Sequence, residues 1–187
     1  EELGAFGTSA TIILDDYERV IHCMPLTIGE FAIATDSRGQ VDTLYREFRM
    51  AVSMLVGEFG LENVSDSVRK QYEEGKRDAW VHVVNAIEPR LHYDPRKHDN
   101  KNMPWRSVYF EVESSEDKVL RETGFRNFPA LCARWSVTGG DIYGNSPGME
   151  ALGDLKQLQQ EQKRKSQAID YQTNPPVIMP AELKNAG

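Results

Sequence analysis

The sequence predicts an α+β chain, a mainly antiparallel β-rich layer followed by one long polar helix. Three observations carry that prediction. Runs of strand length, rich in β-branched and aromatic residues, alternate with turn residues through positions 1–143. They never fall into the regular β-α-β alternation of a parallel sheet. After Ser146 the composition shifts to Gln, Lys and Leu, and no proline interrupts it between Pro147 and Gln172.

Thr8–Leu14 and Val20–Leu26 are two strand-like runs separated by the polar turn Asp15-Asp16-Tyr17-Glu18. Glu30–Thr35 and Val41–Glu47 flank Asp36-Ser37-Arg38-Gly39, a hairpin loop in which Gly39 can take positive φ. Val52, Leu55, Val56 and Phe59 recur at helical spacing, and Gly60 stops that helix. A second, charged helix starts at the cap Ser65, is anchored by Val68 and Tyr72, and ends at Gly75.

Trp80–Ile87 reads as a strand, and Tyr93–Trp105 as a polar loop longer than most connections. Val108, Phe110 and Val112 alternate with Ser107, Tyr109, Glu111 and Glu113, which predicts a strand with the apolar set buried. Pro129–Trp135 and Gly140–Tyr143 complete the layer. Cys23 and Cys132, far apart in β-like runs, are expected as buried reduced thiols.

The long helix should run from Pro147, at the first helical position behind the cap Ser146, to about Gln172. Its length would be roughly 35–40 Å. Met149, Leu152, Leu155 and Leu158 form an apolar foot expected to pack on the β layer. Beyond them the Gln- and Lys-rich shaft is too polar for a core element. Asn174-Pro175-Pro176 then ends the helix and begins an extended tail over 174–187.

Gly144-Asn145-Ser146-Pro147-Gly148 matches G-x-S-x-G, the nucleophile elbow of α/β-hydrolases. The chemistry does not follow. The residue after an elbow serine donates its N–H to the oxyanion, and Pro147 has none. The four histidines, His22, His82, His92 and His98, all precede Ser146, whereas the elbow's histidine follows it. Their spacing offers no metal ligand set, and no catalytic constellation, metal or cofactor is predicted. Ser146 is assigned to capping, a task in which aspartate would substitute. Lys163-Arg164-Lys165 is a solvated helix face, or a contact to a subunit or to phosphates.

The chain has 187 residues, 40% hydrophobic and 27% charged, with a formal net charge of −7. This suits one domain, or one with an appended element. It disfavours a protein whose task is to grip phosphates. No apolar run reaches membrane-spanning length, so no membrane partner is expected. Glu1-Glu2-Leu3-Gly4, without initiator Met or signal pattern, suggests a piece of a longer or processed protein.

Several segments resemble the portal (head–tail connector) proteins of short-tailed bacteriophages. Ile28 to Met50, "IGEFAIATDSRGQVDTLYREFRM", resembles that family's hairpin, and Phe128 to Trp135, "FPALCARW", its Phe-Pro…Arg-Trp strand. Tyr143 to Gln159, "YGNSPGMEALGDLKQLQ", with Asn174 to Pro180, "NPPVIMP", resembles its most recognisable stretch. Within it stand the turn residues Tyr143, Gly144, Ser146, Pro147 and Gly148, while Asn145 departs from the basic residue expected there.

The resemblance implies a structural subunit and no enzyme. It implies a dodecameric ring of identical subunits, assembled in the host bacterium's cytoplasm and built into one vertex of the virion. Double-stranded DNA would pass through it without sequence specificity, and the packaging motor, capsid and tail proteins would be its partners. Residues 1–143 would be the wing, 144–173 a stem helix and 174–187 the entry to a clip, making the chain a central fragment. The competing reading is an adaptor module pairing through the long helix as a coiled coil. Its stripe would be spoiled at Gln159, Gln162 and Ser166.

Overall fold

The computed structural model describes residues 1–97, 99–112, 114 and 118–176. Two antiparallel sheets form the body. The smaller has the order β2-β1-β8, from Val20–Leu26, Thr8–Asp16 and Ala130–Arg134. The larger has the order β3-β4-β5-β6-β7, from Phe31–Thr35, Val41–Ala51, Trp80–Pro89, Trp105–Glu111 and Val119–Phe125. The α+β prediction holds: these sheets are followed by a long C-terminal helix.

One face of the larger sheet carries both hydrophobic cores. Leu44 pairs with Ile87 and Phe48 with Val83, so all four project to the same side. At one end Ile33, Leu44 and Ile87 meet Ala10, Ile12, Leu26 and Ala130 of the smaller sheet. At the other end Val83 and Leu120 are covered by α2 (Val52–Phe59) and α3 (Asp66–Glu73) through Val52, Leu55, Phe59 and Val68. Gly60, at φ 85°, closes α2, and the Ser65 hydroxyl accepts the Val68 N–H to cap α3.

The hairpin at Asp36–Gly39 uses the turn chemistry its residues dictate. The Asp36 carboxylate accepts the Arg38 and Gln40 N–H groups, and Gly39 sits at φ 75°.

β6 corrects the sequence reading. Its registers place Ser107, Tyr109 and Glu111 opposite Ile87, Asn85 and Val83, on the core face. Val108 and Phe110 lie on the other face, half-buried among ion-paired side chains, and Val112 is exposed beyond the strand end. Alternation fails here because the buried polar groups satisfy one another. Asn85 donates to Ser107 Oγ at 2.9 Å. The Glu111 carboxylate accepts the Ser65 N–H at 2.9 Å and the Ser65 hydroxyl at 2.5 Å.

Glu111 thereby latches the start of α3 to the sheet. Glu111→Ala is expected to lower stability by about 2–3 kcal/mol in urea unfolding, since a buried N–H loses its acceptor. A loss below half of that would mean the latch is dispensable.

Other expectations are revised too. Val119–Phe125 is a strand and Glu2–Phe6 a short helix, α1; neither shows a clear period in the sequence. Gly140–Tyr143 is a series of bends, linked to the sheet only through the Ser136–Asn145 bridge. The loop at 93–105 contains a single 3-10 turn, Asn100–Asn102. Both cysteines are free, but Cys23 is exposed and only Cys132 is partly covered.

The long helix is not continuous. α4 (Pro147–Glu150) passes through Ala151, at ψ −3°, into α5 (Leu152–Thr173). The expected packing of its foot does not occur either. Leu152, Leu155 and Leu158 remain 48%, 48% and 52% exposed, and α5 contains no buried residue.

Candidate functional site

The place where the long helix leaves the body is the most constrained backbone of the chain. It is built from two distant segments, the end of α1 and the turn 143–148. Gly7 ends α1 at φ 74°, a conformation that favours glycine, and its N–H donates to Leu3 O at 3.0 Å. The Gly7 carbonyl then accepts the Trp135 N–H at 2.9 Å, tying this point to the end of β8.

Gly144 lies directly against Gly7. A Cβ at Gly144 would stand 2.2 Å from the Gly7 carbonyl oxygen and 2.8 Å from the Trp135 nitrogen. A Cβ at Gly7 would stand 2.2 Å from the Gly144 carbonyl oxygen. The Gly144 N–H donates to the buried Thr8 hydroxyl at 2.9 Å, and the Asn145 N–H to Ser136 O at 2.7 Å. Tyr143 reaches across to the larger sheet, where its hydroxyl accepts the Ile33 N–H at 3.2 Å.

Ser146 completes the joint. It is fully buried, accepts the Met149 N–H at 2.9 Å and donates its own hydroxyl hydrogen to Ala5 O at 2.8 Å. Both bonding directions of the hydroxyl are occupied by backbone, so no lone nucleophile is on offer. Pro147 takes the first helical position, and Gly148 lets α4 approach α1. A Cβ on Gly148 would come within 3.0 Å of Gly4 O and 3.1 Å of Ala5 O.

The cap is therefore more demanding than its sequence suggests. Aspartate cannot donate to Ala5 O and would bring a charge into a closed site. Ser146→Ala is expected to cost about 1–2 kcal/mol and Ser146→Asp more than that, measured by thermal unfolding. Equal stability of the aspartate variant and wild type would contradict the double hydrogen bond.

From this joint α5 projects with both flanks open to solvent. Lys163, Arg164 and Lys165 are all exposed. Successive helical residues point about 100° apart, so the three cations radiate to different sides and do not form one patch. The helix carries Lys156, Lys163, Arg164 and Lys165 against Asp154, Glu161 and Asp170. That is one positive charge in excess, in a chain of net −7.

Among the described residues no group of three or more His, Cys, Asp or Glu could hold a metal ion. His82 lies 3.2 Å from the Glu47 carboxylate on the uncovered face of the larger sheet. Among the described residues no helix is long and apolar enough to cross a membrane. His98 and positions 177–187, most of the expected tail, lie outside the described residues.

The turn at 143–148 was singled out from the sequence, but its counterpart was not. Gly4, Ala5, Gly7 and Thr8 sit some 140 positions earlier, as Ser146 bonds Ala5 across 141 residues. The available signal was Gly7 itself, a glycine immediately before a β-branched strand.

Comparison with known proteins gives a consistent result. The family model for the bacteriophage head to tail connecting protein matches residues 1–187. A "Probable portal protein" of Bordetella phage BPP-1 is 55% identical over 185 residues, covering 99% of this chain and 33% of that protein. A "Portal protein" of Salmonella phage epsilon15 is 51% identical over 184 residues, covering 98% of this chain and 33% of its own length. The chain thus spans about a third of the curated relatives it matches.

Proposed function

Because the chain belongs to the bacteriophage head to tail connecting protein family, we propose that it supplies part of a structural portal subunit. In this reading the two-sheet body of residues 1–143 is a wing, residues 144–173 form a stem helix, and the chain from Asn174 leads toward a clip. Identical subunits close a ring, a dodecamer on the family resemblance, at one vertex of the virion. Double-stranded DNA passes through its channel, and the packaging motor, capsid and tail proteins bind its outer surfaces.

The observation that carries this reading is α5. A 22-residue helix with no buried residue has no reason to persist alone in water, because isolated helices of that length are marginal. Identical helices standing side by side in a ring would supply the missing neighbours. The glycine joint supports the same role by fixing the direction in which each helix leaves its wing, so that every copy presents it alike.

The charge pattern fits passage of DNA without capture. The chain is net negative, and Lys163, Arg164 and Lys165 radiate around the shaft, so few phosphates can be neutralised together. These three residues are assigned to subunit contacts or to brief contacts with passing DNA. Negative-stain imaging of the complete protein tests the proposal: rings with a central hole are expected, and monomers or dimers at all concentrations would refute it.

A further inference from the structure

The outer face of the small sheet is an uncovered apolar surface. By the registers Ile13↔Cys23, Thr11↔Pro25 and Thr11↔Leu131, alternate residues of the three strands share this face. Ile13, Ile21, Cys23, Pro25, Leu131 and Trp135 all lie on it. Leu131 is 64% exposed and Trp135 58% exposed, and Cys23 and Pro25 are exposed too. A sheet face of this composition ordinarily packs against another layer, and no described element of this chain covers it.

The same chain carries the matching piece. Leu152, Leu155 and Leu158 follow one another at intervals of three, forming a single ridge inclined to the axis of α5. They are as uncovered as the sheet. The glycine joint holds the start of the helix away from its own sheet, so the two surfaces cannot meet within one copy. Charge complements the fit. Glu1, Glu2 and Asp15 border the grooves beside the face, with Arg126 the one cation there. α5 is net positive, and the body apart from it is net −8, as follows from its excess of one and the total of −7.

We infer that the outer face of the β2-β1-β8 sheet is the seat for the leucine ridge of α5 from a second copy of this chain. The contact is head-to-tail, with different surfaces on the two partners, and such contacts generate rings when the rotation closes. The inference rests on the portal reading and adds to it the surface on which a neighbour's helix sits.

Cys23 provides a natural reporter at the centre of the face. The second thiol, Cys132, is partly covered on the inner side, and loss of solvent pushes its pKa up to about 11 despite nearby Arg134, which keeps it a poor nucleophile at neutral pH. Leu155→Cys in the complete assembled protein, treated with a short bismaleimide, should give a ladder of covalent multimers on a denaturing gel. Adding Cys23→Ser should abolish the ladder. Gln157→Cys, on the opposite side of the helix, should not form one. Leu158→Cys serves as a second ridge position should Leu155→Cys impair assembly.

Imaging of the same sample separates the two claims. Intact rings without a Cys23-dependent ladder at either ridge position would overturn the proposed seat while leaving the portal reading standing. If Cys23 is shielded from alkylation in rings yet never cross-links, another segment covers the face, and the inference fails. Absence of rings together with absence of cross-links would refute both.

Discussion

Gly144→Ala is expected to abolish the joint from which the long helix departs, with a stability loss of about 4 kcal/mol or more. The added methyl would lie 2.2 Å from the Gly7 carbonyl oxygen, inside van der Waals contact with rigid backbone on both sides. Close-packed interiors do not absorb such an intrusion without moving whole elements. Relief would require separating α1 from the turn, which breaks the Gly144–Thr8 and Ser146–Ala5 hydrogen bonds together. Gly153→Ala is the control. Nothing lies within 4 Å of that position, and alanine inside a helix should stabilise by about 0.5–1 kcal/mol. Urea unfolding of the two variants should therefore shift in opposite directions. Equal, small shifts would show that the glycine contact is not a structural necessity.

The second large effect is expected on assembly and not on folding. Replacing Leu152, Leu155 and Leu158 together by glutamine removes the leucine ridge of α5. Because all three are about half exposed in the single chain, the melting behaviour of a monomer should change little, by about 0.5 kcal/mol or less for each site. Burial against a neighbour would be worth more, at most about 1.5–3 kcal/mol for each leucine that becomes fully buried. Every subunit contact in a ring would lose that contribution at once. Ring yield in imaging or native mass measurement should collapse while the monomer stays folded. A triple variant that unfolds as a monomer would show that the ridge packs within one chain.

Much of the body was legible from residue pattern. Thr8–Leu14 and Val20–Leu26 declare themselves by β-branched runs around a polar turn. Val52, Leu55 and Phe59 declare a helix by period, and Gly60 marks its end. β6 was misread because its core face is polar: Ser107 and Glu111 are buried only because Asn85 and Ser65, distant in sequence, meet them. No local pattern reveals such a partner. β7 is missed because Arg121, Glu122 and Thr123 interrupt any alternation, and its register is set by β6.

The joint shows the same division. Ser146, Pro147 and Gly148 advertise a helix start locally, whereas the need for Gly144 comes from contact with Gly7. The foot of the long helix was misjudged for a related reason. A leucine stripe states that something must cover it, but not whether the cover lies in the same chain.

Amide hydrogen exchange along α5 tests the central claim, that this helix is completed by neighbouring copies, more directly than any other measurement. In a proven monomer, amides across Leu152–Thr173 should exchange fast, since neither the leucine ridge nor the Gln- and Lys-rich shaft has a buried anchor. In assembled rings the same amides should be protected, while those of β4 and β5 remain slow in both states. Slow exchange throughout α5 in the monomer would contradict the account, because the helix would then owe its stability to its own chain.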